Sequence, residues 1–82
     1  MPHTYILFSE KLNKYYVGST SDIHKRIEDH NRGKEKFTST GMPWQIVYSE
    51  TFGNLADARR REFQIKKQKT RSCIERLIAS AG

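Results

Sequence analysis

The sequence holds a single cysteine, Cys73, so no internal disulfide can form and a multi-cysteine zinc site is excluded. A lone thiol suits a reducing compartment, and the expected setting is the cytoplasm. No apolar run approaches the length of a membrane span. The opening residues Met1-Pro2-His3-Thr4-Tyr5 lack a basic segment followed by an apolar one, so no signal peptide is expected. Acidic residues are scarce: nine Asp+Glu stand against fifteen Lys+Arg, a formal net charge of +6. A small chain that basic suits a polyanionic partner, nucleic acid first, while charge alone is also what a plain solvated surface carries. Eighty-two residues, 35% of them hydrophobic, leave room for one domain over 1–82 with a thin core.

What is present reads as a small α/β (α+β) domain. Thr4–Phe8 has strand character, with Ile6 and Phe8 on one face and Tyr5 and Leu7 on the other. Glu10–Lys14 is polar and makes a turn. Tyr15–Gly18 follows as a second strand, with Tyr16 opposite Tyr15 and Val17. Gly18 lacks a side chain, so another group can approach the backbone there. Ser19-Thr20-Ser21-Asp22 is rich in capping residues and leads into a helix whose buried stripe is Ile23 and Ile27. Arg32-Gly33 stops it, and 34–42 has the residues of a loop.

Pro43 precedes a third strand, in which Trp44, Ile46 and Tyr48 are expected on one face. Asn54 is placed to cap a second helix over about 55–69. Ser72 with Glu75 three residues on makes a capping-box pattern for a third helix carrying Ile74, Leu77 and Ile78. The expected architecture is a three-stranded antiparallel sheet flanked by helices.

Chemistry concentrates between Tyr5 and His30. Arg26 and His30 are four apart, so a helix sets them on one face. A hairpin brings the strands of Tyr5 and Tyr16 side by side. Two tyrosines, an arginine and a histidine then share a surface able to receive a phosphodiester. Each alone reads more simply as a strand aromatic or a surface charge. His3 and His24 have no partner that would make them ligands, and Cys73 reads as core.

Glu62 is out of place. Leu55, Ala58, Glu62 and Ile65 fall on the stripe a helix turns toward its core. Ionised carboxylates are seldom buried alone. Either Glu62 pairs with Arg59 or Arg26, or it faces a cleft and holds a cation. Around it, Arg59, Arg60, Arg61, Lys66, Lys67, Lys69 and Arg71 crowd one segment with Glu62 as its only acid. Such a run repels itself unless anions neutralise it, and a phosphate backbone is the natural neutraliser. Lys25, Lys34 and Lys36 extend the candidate nucleic-acid-binding set, with Thr38, Ser39 and Thr40 also able to touch phosphates.

Thr4-Tyr5-Ile6 and Tyr16-Val17-Gly18 resemble degenerate copies of the signature of the GIY-YIG endonuclease superfamily. The ten-residue step from Tyr16 to Arg26, the four-residue step to His30 and a downstream glutamate fit the same order. The likeness spans Thr4 to about Ile78 and is greatest to small stand-alone bacterial members. These are similar to the nuclease domain of the excision-repair incision subunit. The resemblance implies a metal-dependent endonuclease acting on DNA, on branched, flapped or damaged substrates, in repair or recombination. Glu62, within Ala58-Arg59-Arg60-Arg61-Glu62-Phe63, matches the family's metal glutamate, and the implied cofactor is Mg2+ or Mn2+. Larger members carry an asparagine after that glutamate; here none follows Asn54. No attached DNA-targeting domain is expected, so target choice would come from DNA shape or from a protein partner.

Phosphodiester hydrolysis needs an activated water, charge stabilisation at phosphorus and help for the leaving group. Arg26 would bind the scissile phosphate through its planar fork. Tyr5, Tyr16 or His30 would take the water's proton. A tyrosine with a pKa of about 10 serves only if neighbouring cations lower it. The resemblance favours Tyr5 with His30 assisting; the chemistry alone leaves all three open. Two rivals stand beside catalysis: a non-catalytic nucleic-acid-binding module on the same scaffold, and a protein-interaction domain.

Overall fold

A computed structural model describes residues 1–33, 39–68 and 70–81. Three strands, β1 (His3–Ser9), β2 (Lys14–Thr20) and β3 (Gln45–Thr51), form an antiparallel sheet in the order β2-β1-β3. Helix α1 (Ile23–Asn31) follows β2, a short 3-10 turn spans Ser39–Gly41, and α2 (Leu55–Lys67) and α3 (Arg71–Ala81) close the chain. The expected architecture is the one observed, with strands two or three residues longer than the sequence suggested.

Local chemistry sets the boundaries. The Asp22 side chain accepts the Lys25 amide at 3.1 Å and starts α1. Gly33 takes the positive φ of 77° that ends it. Asn54 accepts the Asp57 amide at 2.8 Å and starts α2. The capping box expected at Ser72 does not form. Helix α3 begins at Arg71, which places Ser72 inside the first turn, and Glu75 instead accepts from Tyr15 and Arg71.

Strand alternation divides the core between the two sheet faces. Tyr5, Leu7 and Trp44 pack with Tyr16 and with Ile23 and Ile27 of α1. Ile6, Val17 and Ile65 pack with Val47, Tyr48 and the α3 residues Ile74, Leu77 and Ile78. The central strand β1 contributes Ile6 and Leu7, which lose all contact with water. Each such side chain is worth about 1.5–3 kcal/mol of burial. Buried polar groups are satisfied: Thr4 donates to the Ala58 carbonyl at 2.6 Å, which ties β1 to α2.

Trp44, Ile46 and Tyr48 do not share a face. The pairing steps from Ile6↔Tyr48 to Leu7↔Ile46, which leaves Val47 as an extra residue on β3. That bulge shifts the strand by one position. Trp44 therefore joins the α1 side and Tyr48 the α2–α3 side. No helix among the described residues is long and apolar enough to cross a membrane.

Candidate active site

The hairpin places Tyr5 directly opposite Gly18 and Tyr16 opposite Leu7. Tyr5 lays its ring across Gly18; a Cβ there would stand 2.5 Å from the Tyr5 hydroxyl oxygen. The backbone approach expected at Gly18 is thus made by Tyr5. Helix α1 then delivers its two candidates, one turn apart. Tyr5 Oη lies 3.3 Å from His30 Nε2 and accepts from Arg26 Nε at 3.4 Å. The Tyr16 ring meets the His30 imidazole edge-on at 5.2 Å between centroids. Tyr5, Tyr16, Arg26 and His30 are therefore brought together as expected.

His30 is fully buried and Tyr5 nearly so. Burial pushes the Tyr5 hydroxyl above its ordinary pKa of 10.0, while the Arg26 hydrogen bond and charge pull it down. The negative charge of Glu62 adds to the rise. Desolvation outweighs one guanidinium, so Arg26 alone does not supply the lowering that a tyrosine base needs.

Glu62 enters from α2. It lies on the predicted inward stripe, with Ala58 and Ile65 buried beside it. Its side chain keeps 22% of its surface exposed. Among the described residues its ion pair is with Lys66, not with the Arg59 or Arg26 that the sequence offered. Ser19 of β2 donates to Oε1 at 2.5 Å, and Lys66, one turn along α2, donates to Oε2 at 2.6 Å. The Lys66 ammonium also lies 5.9 Å from the Tyr16 ring centroid. Lys66 thus links Glu62 to the tyrosine–histidine cluster around the outer edge of β2. Ser19 was not singled out as a site residue; its polar position next to Gly18 carries no sequence signal of its own.

A carboxylate has room for about four hydrogen-bond or metal contacts, and two of those on Glu62 are taken by protein donors. Hard cations such as magnesium are held by one or two carboxylates with waters and phosphates filling the rest. The donor chemistry of Glu62 fits that mode. Among the described residues no three His, Cys, Asp or Glu side chains form a metal cage.

The basic segment is less one-sided than its sequence. Arg60 pairs with Asp57 at 3.0 Å, Arg61 with Glu50 at 3.1 Å, and Arg71 with Glu75 at 3.4 Å. Carboxylates from β3 and the helices themselves neutralise part of the run, without any phosphate. Arg59 and Lys67 are exposed and make no ion pair among the described residues. Lys25 is exposed on α1. Lys34, Lys36 and Lys69 lie outside the described residues. A cavity of about 440 Å³ opens beside Tyr16 and Lys66, walled by Lys14, Tyr15, Arg71 and Ile74.

Trp44 closes the cluster from the far side, 6.2 Å from Tyr16 between ring centroids. Its backbone is clamped at both ends of one side chain. Asn31 Oδ1 accepts the Trp44 amide at 2.6 Å, and Asn31 Nδ2 donates to the Trp44 carbonyl at 3.1 Å. That clamp fixes the end of α1, and with it His30, against the sheet.

Comparison with known proteins shows the family and the fold. Residues 1–75 match the family model of the GIY-YIG catalytic domain. The UPF0213 protein YazA of Bacillus subtilis (strain 168) is 35% identical over 66 residues, which cover 79% of this chain and 67% of that protein. A UPF0213 protein of Pediococcus pentosaceus is 43% identical over 71 residues, 85% of this chain and 74% of that protein. The solution NMR structure of the UPF0213 protein BH0048 from Bacillus halodurans superposes with a TM-score of 0.61 at 31% identity, covering 100% of this chain and 87% of that one. The chain belongs to the GIY-YIG family of endonuclease domains.

Proposed function

We propose that residues 1–82 form a single metal-dependent endonuclease domain that hydrolyses DNA phosphodiester bonds. The observation that carries this reading is the chain of contacts Arg26–Tyr5–His30–Tyr16–Lys66–Glu62, which gathers a phosphate-binding cation, a proton acceptor and a carboxylate. Arg26 binds the scissile phosphate. Tyr5, once ionised, takes the proton of the attacking water, and buried His30, 3.3 Å from its hydroxyl oxygen, assists by holding that oxygen in place. The water oxygen bonds to phosphorus, the bond to the 3′ oxygen breaks, and that oxygen takes a proton from solvent, leaving a 5′-phosphate and a 3′-hydroxyl. Glu62 holds a Mg2+ or Mn2+ ion, which supplies charge stabilisation for the phosphate and the departing oxygen.

Exposed Lys25, Arg59 and Lys67 hold the flanking backbone. Branched, flapped or damaged DNA, in repair or recombination, is the proposed substrate class. A protein partner supplies targeting, and the free thiol of Cys73 accords with a cytoplasmic setting. The satisfaction of Glu62 by Ser19 and Lys66 favours a second reading, a non-catalytic nucleic-acid-binding module.

The test is a panel of labelled single strands, duplexes, 5′ flaps and four-way junctions with magnesium or manganese. Wild type and Arg26→Ala are run side by side, and the product ends are mapped. Cleavage leaving 5′-phosphates, lost in Arg26→Ala, supports the enzyme. Salt-sensitive binding without cleavage supports the module.

A further inference from the structure

We infer that Phe63 is a stacking platform for a base at a strand discontinuity in bound DNA. The inference rests on the endonuclease reading and names what would make that site selective for interrupted duplexes. Phe63 is 64% exposed, a large apolar ring left in water directly after Glu62. Successive residues of an α-helix are turned by about 100°, so Phe63 stands roughly a quarter turn around α2 from the Glu62 carboxylate. Arg59 and Lys67 lie one turn before and one turn after it, on the same face. The Lys67 ammonium sits 5.7 Å from the ring centroid.

The distribution of ion pairs on α2 is selective. Arg60, Arg61 and Lys66 are each tied to a carboxylate. Arg59 and Lys67, the two cations that flank Phe63, make no ion pair among the described residues. An aromatic ring between two uncommitted cations matches a nucleotide: the ring takes the face of the base, and the cations take the phosphates on either side. A second copy of this chain is a poor occupant, since it would bring the same cations face to face.

Bases inside an intact duplex are already stacked on both sides. A ring projecting from a helix reaches a base face only at an end, nick, flap or branch. Stacking on an aromatic side chain tolerates any base, so the preference it confers is for DNA shape and not for sequence.

The test uses a 5′-flap DNA carrying 2-aminopurine at the junction, bound without divalent metal so that no cleavage intervenes. Wild-type protein should change the probe's fluorescence on binding. Phe63→Ala should abolish that change and weaken flap binding roughly tenfold, with intact-duplex binding within about twofold of wild type. Phe63→Trp should restore both. Equal flap binding by wild type and Phe63→Ala overturns the inference, as does a Phe63-dependent dimer in sedimentation. Failure of the endonuclease reading looks different: no cleavage of any substrate with metal, whatever stands at position 63.

Discussion

Tyr5 Oη lies 3.3 Å from His30 Nε2, and His30 has no exposed surface. A water molecule aligned for attack cannot reach the imidazole directly, so His30 is placed to assist Tyr5 and not to meet that water itself. His30→Gln keeps polar atoms near Tyr5 and removes the imidazole that assists it. DNA hydrolysis should fall about 100-fold, with DNA affinity unchanged, and Tyr5→Phe should fall at least as far. Full activity in Tyr5→Phe would move the base to another residue.

The pH profile follows from the same pair. Burial holds the Tyr5 hydroxyl above its ordinary pKa of 10.0. Below a raised pKa, the reactive phenolate grows tenfold for each pH unit. Cleavage at saturating DNA and metal should therefore climb with a slope near one from about pH 7 to 9. Arg26 is the group that lowers this pKa, so Arg26→Gln should make the alkaline climb later as well as weaken phosphate binding. A plateau reached near pH 6.5 would point to a histidine as the titrating group.

Gly18 is held to its size by Tyr5. An added Cβ would meet Tyr5 Oη at 2.5 Å and Cζ at 2.7 Å. Gly18→Ala should push the phenol away from Arg26 and His30 and cost about 1–3 kcal/mol of stability. Denaturant unfolding measures the stability loss. The cleavage rate should drop as it does in Tyr5→Phe, and a wild-type rate would show that Tyr5's placement is not needed.

Lys66 and a divalent cation compete for one carboxylate, because its ammonium already stands 2.6 Å from Glu62 Oε2. Lys66→Met should tighten manganese binding by up to about fivefold, the equivalent of the ~1 kcal/mol upper range for an exposed pair. Calorimetric titration of manganese reads this without DNA. Weaker manganese binding would show that Lys66 positions the carboxylate for the ion.

The hairpin, the caps at Asp22 and Asn54, the stop at Gly33 and the inward stripe of α2 were legible because each depends on neighbours within a few residues. The grouping of Tyr5, Tyr16, Arg26 and His30 was legible because strand alternation and helical spacing fix it locally. What the sequence hid depends on distant partners. The Val47 bulge arises from pairing with β1, and it sends Tyr48 to the opposite face from Trp44. Glu50 sits on β3, so its neutralisation of Arg61 could not be read from the basic run itself. Ser19 reaches Glu62 across 43 positions of chain, a contact no local pattern announces.

The most direct measurement pairs cleavage with binding in Glu62→Gln. That change keeps an acceptor for Ser19 and removes the charge that a divalent cation needs. With magnesium or manganese and a 5′-flap substrate, wild type should cut, and Glu62→Gln should bind the DNA at least as tightly while its cutting falls about 100-fold or more. Equal cutting by the two proteins would contradict a metal-dependent endonuclease built on Glu62.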